Sequence, residues 1–87
     1  MAAIYQEDAL TRRYRQGYKT EVREKLSIAQ GGRCAICKKF ARLAVDHNHA
    51  TGRVREVLCW GCNNRLGMVE DKQLLAAARR YLRKHKS

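Results

Sequence analysis

Cys34-Ala35-Ile36-Cys37 and Cys59-Trp60-Gly61-Cys62 are the stretches whose reading decides the fold. Each is a Cys-x2-Cys knuckle, and 21 residues separate them. Two such knuckles can present four sulfurs at tetrahedral corners, about 2.3 Å from one zinc ion. The separation slightly exceeds the usual upper spacing of about 20, which is tolerated because the intervening segment can loop out as a hairpin. Two disulfides or four free thiols would use the same cysteines. The expected compartment decides between these readings. Residues 1–10 contain Glu7 and Asp8 and lack the apolar stretch of a secretory signal. No apolar run approaches the roughly 18–20 residues that span a bilayer. An intracellular location follows as the expectation (host cytoplasm if the chain is phage-encoded), and there thiols stay reduced and paired knuckles read as metal ligands. Four thiolates close the coordination shell, so the zinc is expected to be structural, and His49 is not needed as a ligand.

A chain of 87 residues with only six aromatic side chains needs such a staple. At this length folding buries about 60–65% of the unfolded surface, and an apolar core alone is marginal. Apolar residues nevertheless recur along the whole chain, which excludes a disordered polyelectrolyte. Lys and Arg number 19 against 8 Asp and Glu, a net charge of +11. Four thiolates and one Zn²⁺ sum to −2 and leave about +9. That charge on a small body favours a polyanionic partner. The expected partner is DNA, with no membrane and no small-molecule cofactor.

Between the knuckles, residues 38–42 form a basic connector and Leu43-Ala44-Val45-Asp46-His47 reads as a short strand. Asn48-His49-Ala50-Thr51-Gly52 is the turn, and residues 53–58 return with Val54 and Leu58 on one face. Beyond the second knuckle a short helix is expected over about residues 63–68. Asp71 then caps a last helix, in which Leu74, Leu75, Ala78, Tyr81 and Leu82 form an apolar stripe. Its other face carries Arg79, Arg80, Arg83, Lys84 and Lys86. Upstream, Thr20 is placed to cap a helix beginning at Glu21, with Val22, Leu26 and Ala29 on one side and Gly31-Gly32 as its stop. Residues 1–19 hold Tyr5, Leu10, Tyr14 and Tyr18 at helical spacing among Arg12, Arg13, Arg15 and Lys19. They read either as a basic arm that orders on DNA or as a solvated helix. The expected organisation is thus an arm or helix over 1–19 and a single zinc-stapled domain over 20–87.

The hairpin carries Asp46-His47-Asn48-His49, and Asn63 follows the last cysteine. Zinc pins both places, so Asp46 and Asn63 can approach one another. Carboxylate and amide oxygens are hard ligands that suit Mg²⁺ or Mn²⁺. A neutral imidazole beside them can take a proton from water. These are the parts of metal-assisted phosphodiester hydrolysis. The blander reading makes His47 a turn or core histidine and Asn63 a helix cap. With it goes a different function: a non-catalytic zinc-stapled nucleic-acid-binding module, such as a small phage regulator, which has no need of Asp46, His47 and Asn63 together. A protein-binding zinc knuckle fits the charge less well.

Three segments in order resemble the recombination endonuclease VII family of phage HNH nucleases. They are Gln30-Gly31-Gly32-Arg33-Cys34-Ala35-Ile36-Cys37, then the stretch from Val45-Asp46-His47-Asn48-His49 through Ala50-Thr51-Gly52-Arg53-Val54-Arg55, then Leu58-Cys59-Trp60-Gly61-Cys62-Asn63-Asn64-Arg65-Leu66-Gly67. The resemblance implies a small α+β domain of the zinc-bound ββα-metal (HNH, or His-Me finger) class, flanked by N- and C-terminal helices. It further implies a DNA endonuclease that nicks or cleaves DNA and leaves 5′-phosphate and 3′-hydroxyl ends. By position, Asp46 and Asn63 would hold one catalytic Mg²⁺ or Mn²⁺, His47 would be the general base, and His49 would hold phosphate or the leaving group. Arg12, Arg13, Arg15, Lys19, Arg53, Arg55, Arg79, Arg80, Arg83 and Lys84 are the expected DNA contacts. Some members carry an acidic residue where Leu66 stands here; Glu56 on the second strand is a substitute donor if it faces the site. Members that resolve branched DNA also have a long C-terminal dimerisation region, whereas this sequence runs to Ser87, so branched-DNA cleavage and the choice of monomer or homodimer stay open.

Overall fold

The computed structural model describes residues 7–86, an α+β arrangement of four helices and one two-stranded sheet. Tyr5 lies outside the described residues. Helix α1 (Ala9–Arg15) is capped by Asp8, whose Oδ1 accepts from the Thr11 amide at 2.8 Å. It does not stand off as an arm: Thr11 is buried, and its hydroxyl accepts a hydrogen bond from the Val54 amide at 3.0 Å, 43 residues away. Replacing Thr11 by Val would leave that buried N–H unpaired, and we expect a loss of about 1–3 kcal/mol in urea denaturation. An unchanged midpoint would mean that α1 contributes nothing to the fold.

Helix α2 (Lys19–Ala29) starts earlier than the sequence suggests. Thr20 lies in its first turn, and the N-cap is Tyr18, which makes no side-chain cap hydrogen bond. The helix stops at Gly31 and Gly32, whose φ angles of 63° and 75° are cheap only for glycine. Gln30, at its end, is used as a piece of sheet. Its Oε1 accepts from the Val57 amide at 2.9 Å while its Nε2 donates to the Val57 carbonyl at 2.9 Å. The first knuckle joins the same place through the Ala35 amide, which donates to the Val57 carbonyl.

Strands β1 (Leu43–His47) and β2 (Val54–Cys59) pair antiparallel, with Leu43 opposite Cys59, Ala44 opposite Leu58, Val45 opposite Val57 and His47 opposite Val54. Between the last two pairs Asp46 faces two residues, Arg55 and Glu56. This is a β-bulge, which bends the strand and re-aims side chains. In the turn, Asn48 Oδ1 accepts from the Ala50 and Thr51 amides, and Gly52 takes a φ of 78°.

Helix α3 (Trp60–Glu70) follows β2 with no intervening residue and is nearly twice as long as expected. Its N-cap is Cys59, whose sulfur accepts from the Cys62 amide at 3.5 Å, so the second knuckle is itself the first helical turn. Helix α4 (Lys72–Lys84) is capped by Asp71 as expected. It packs against α3, but its apolar stripe is not covered: Leu74, Tyr81 and Leu82 are exposed. The core is correspondingly small, consisting of Cys34, Leu43, Val57, Leu58 and Cys62 with Leu26, Val45 and Leu66 against it. Two of its five buried members are cysteines of the knuckles.

Candidate active site and metal centre

The four cysteine sulfurs lie within 4.8 Å of one another. Cys37 Sγ and Cys59 Sγ are 3.9 Å apart, far longer than the roughly 2.05 Å of a disulfide. A tetrahedron with Zn–S bonds near 2.3 Å has S···S edges of about 3.8 Å, so the cluster is positioned to bind one such ion. The thiols titrate unequally. Burial opposes the Cys34 thiolate, yet the backbone amides of Cys59, Cys37 and Ile36 outweigh it and bring its pKa down to about 6. Cys62 is pushed up to about 12, first by its hydrogen bond with Cys59, then by burial and by the neighbouring Cys34. A dication among four such sulfurs removes the repulsion that keeps the later ones protonated.

The hairpin end of the molecule gathers both imidazoles. The His47 and His49 ring centroids are 4.7 Å apart, and the Tyr14 ring of α1 is centred 6.4 Å from that of His47. His47 Nδ1 is buried and has no hydrogen-bond partner among the described residues. Asp46, beside it, is 6% exposed. The bulge presents Arg55 to it: Arg55 Nε donates to Asp46 Oδ2 at 2.6 Å and Nη2 to Oδ1 at 3.0 Å. The same guanidinium donates to both carboxylate oxygens of Glu70, at the end of α3, at 3.1 and 3.3 Å. The hydrogen bonds to Asp46, then those to Glu70, raise the Arg55 pKa well above its ordinary value. Arg55, expected as a DNA contact, is therefore engaged inside the protein. Glu56 is exposed, and Leu66 packs on the core.

Asn63 lies one turn into α3 and lines a cleft of about 400 Å³ with Tyr14, Lys19, Arg23, Arg42, Trp60 and the β1 residues 43–45. Asp46 and Asn63 lie on β1 and α3, which pack together, but Asp46 is not among the residues that line the cleft bordered by Asn63. Their carboxylate and amide oxygens suit a hard divalent cation. Each Asp46 oxygen already accepts one hydrogen bond from Arg55.

The other expected DNA contacts differ in availability. Arg12 and Arg15 pair with Glu7, and Arg13 with Glu21 and the face of Tyr18. Arg53 pairs with Asp8. Arg79, Arg80, Arg83 and Lys84 lie exposed along α4, and Lys19 borders the cleft near Tyr14. Sequence reasoning missed Arg23, Arg42 and Trp60 as lining residues. Arg42 was visible only as part of a basic connector. A tryptophan inside a knuckle was the one available signal, and Trp60 is 79% exposed.

A family model described as recombination endonuclease VII matches residues 8–84. The Gene 59 protein of Mycobacterium phage D29 is 51% identical over 61 residues, which span 63% of this chain and 37% of that protein. The Gene 59 protein of Mycobacterium phage L5 is 53% identical over 47 residues, 48% of this chain and 29% of that protein. The chain spans about a third of the length of these curated relatives. No solved structure matches it.

Proposed function

The chain belongs to the recombination endonuclease VII family, and from that premise we propose that it is a metal-dependent DNA endonuclease of the HNH, ββα-metal type. The observation that carries the reading is the buried His47 nitrogen, without a partner among the described residues, next to Asp46 in sequence and close to His49, on a hairpin that runs straight into the helix bearing Asn63. A buried imidazole nitrogen that no group among the described residues claims has a desolvation cost, and a role in proton transfer accounts for it.

In this reading Asp46 and Asn63 hold one Mg²⁺ or Mn²⁺. Bound there, such an ion would supply Lewis-acid polarisation of a phosphate and charge neutralisation for the 3′ leaving oxygen. His47 takes the proton of a water aligned for in-line attack, and a 5′-phosphate and a 3′-hydroxyl result. His49, tilted against His47, and Arg53, just before β2, steady the phosphate. Lys19, Arg23 and Arg42 lead the backbone along the cleft, where Trp60 offers a face for a base. The structural ion is zinc, held by Cys34, Cys37, Cys59 and Cys62, and its closed shell keeps it out of the chemistry.

The test is incubation of the purified protein with supercoiled plasmid and with a four-way junction, with and without Mg²⁺ or Mn²⁺. Cleavage that requires the divalent ion is expected. Binding should weaken steeply between 50 and 200 mM salt, by about 0.9 in log–log slope for each phosphate neutralised. No cleavage with any divalent ion would leave a DNA-binding module in place of a nuclease.

A further inference from the structure

The Asp46 carboxylate is buried, and both of its oxygens are taken by one guanidinium. A buried carboxylate is costly without a counter-charge, and Arg55 supplies it. The arrangement is not a simple ion pair, because Arg55 also holds Glu70 with the other edge of its fork. The Glu70 side chain is 40% exposed where the Asp46 side chain is 7%. The guanidinium therefore has one inner anchor and one outer anchor. It is the bulge, with two residues of β2 opposite Asp46, that lets Arg55 reach the inner one.

We propose that Arg55 is a positioning residue that competes with the divalent ion for Asp46, and that Glu70 is the anchor to which it withdraws. The inference rests on the reading of Asp46 as a metal ligand. Without an ion, Arg55 keeps the carboxylate aimed and charge-compensated. When an ion arrives, one or both of the Asp46 bonds are exchanged for coordination. Glu70 holds the released guanidinium beside the hairpin. The free protein consequently binds divalent ions weakly, and the site is guarded by its own cation. Glu70 lies seven residues beyond Asn63 on the same helix, so it shares that helix's site-facing side without being a ligand itself.

The experiment is a Mn²⁺ titration of zinc-loaded full chain, with free Mn²⁺ read by electron paramagnetic resonance and folding checked by circular dichroism. An adjacent opposite charge changes a carboxylate's affinity for a proton by about 10- to 1000-fold. By the same reasoning Arg55→Gln is expected to bind Mn²⁺ about tenfold more tightly than the wild type. Glu70→Gln, which leaves Arg55 only its inner anchor, is expected to bind about threefold more weakly. In the Arg55→Gln background the Glu70 substitution should lose most of that effect, because Glu70 acts through Arg55. If Glu70 were a direct ligand, its substitution would weaken binding equally in both backgrounds, and that result overturns the proposal. So does a folded Arg55→Gln protein whose Mn²⁺ affinity is unchanged or weaker. Should Arg55→Gln not fold, Arg55→Lys keeps the charge without the fork and is expected to bind about threefold more tightly; no gain there overturns the proposal. Asp46→Asn separates the two levels of the argument. If it loses Mn²⁺ binding while Arg55→Gln gains none, the role of Arg55 falls alone. If Asp46→Asn binds Mn²⁺ as the wild type does, the assignment of Asp46 falls, and this inference with it.

Discussion

Removing the metal from the four-cysteine cluster, or replacing Cys59 by Ser, is expected to unfold the chain completely. The reason lies in what the cluster joins. Cys34 and Cys62 are themselves members of the buried core, and the side chains around them are few: Leu43, Val57 and Leu58. Cys59 ends β2, caps α3 and lies 3.9 Å from Cys37, so its sulfur holds strand, helix and first knuckle together. Zinc bound to four thiolates contributes on the order of 10 kcal/mol or more. A domain of this size has a total stability of about 5–15 kcal/mol, most often in the lower part of that range. Loss of the ion therefore exceeds what the apolar core can supply. The measurement is far-UV circular dichroism with elemental analysis during chelation: helical signal and zinc should disappear together. A folded, zinc-free protein would show that the core suffices alone and that the cysteines are only packed thiols.

The same cluster explains why the middle of the fold was legible in the sequence and its edges were not. Knuckle spacing, the alternation in Leu43–His47 and the glycine at Gly52 are local signals, and the hairpin forms where they place it. Gly31, Gly32 and Asp71 are likewise local and act as read. Helix α3 was read too short because its start depends on a sulfur acting as a cap. Gly61 and Gly67, moreover, each cost only about 1 kcal/mol inside a helix. The apolar stripe of α4 was read correctly as amphipathic, but periodicity does not say what covers a face; α4 packs against α3, yet Leu74, Tyr81 and Leu82 stay exposed. The largest gap concerns Arg55. Taken alone, a strand arginine beside a basic turn reads as a DNA contact. Its true partner is fixed by a bulge, and a bulge is a mismatch between two strands that neither strand records. Gln30 is a parallel case: its pairing with Val57 spans 27 residues and has no sequence signature.

Replacing His47 by Ala is expected to lower cleavage by about 100-fold or more, while zinc content and DNA affinity stay at wild-type values. The side chain ligates no zinc, since the four cysteines form a closed set at the other end of the hairpin. It carries little of the binding either, because affinity for DNA rests on backbone phosphates met by Lys and Arg. Its removal costs some contact with Tyr14 and His49, but it leaves no buried polar atom stranded, since Nδ1 has no partner among the described residues to lose. The fold should therefore survive, and the loss can be assigned to proton transfer. Asp46→Ala should also lose cleavage, but through a different cause. It frees Arg55 and weakens ion binding, so raising Mg²⁺ or Mn²⁺ is expected to restore part of the activity, whereas added metal should do nothing for His47→Ala. Plasmid nicking assays across a metal series, run beside filter-binding measurements at fixed salt, distinguish the two variants. If His47→Ala nicks plasmid at the wild-type rate, no proton passes through this imidazole, and the hairpin's Asp-His-x-His pattern serves to bind DNA and not to cut it.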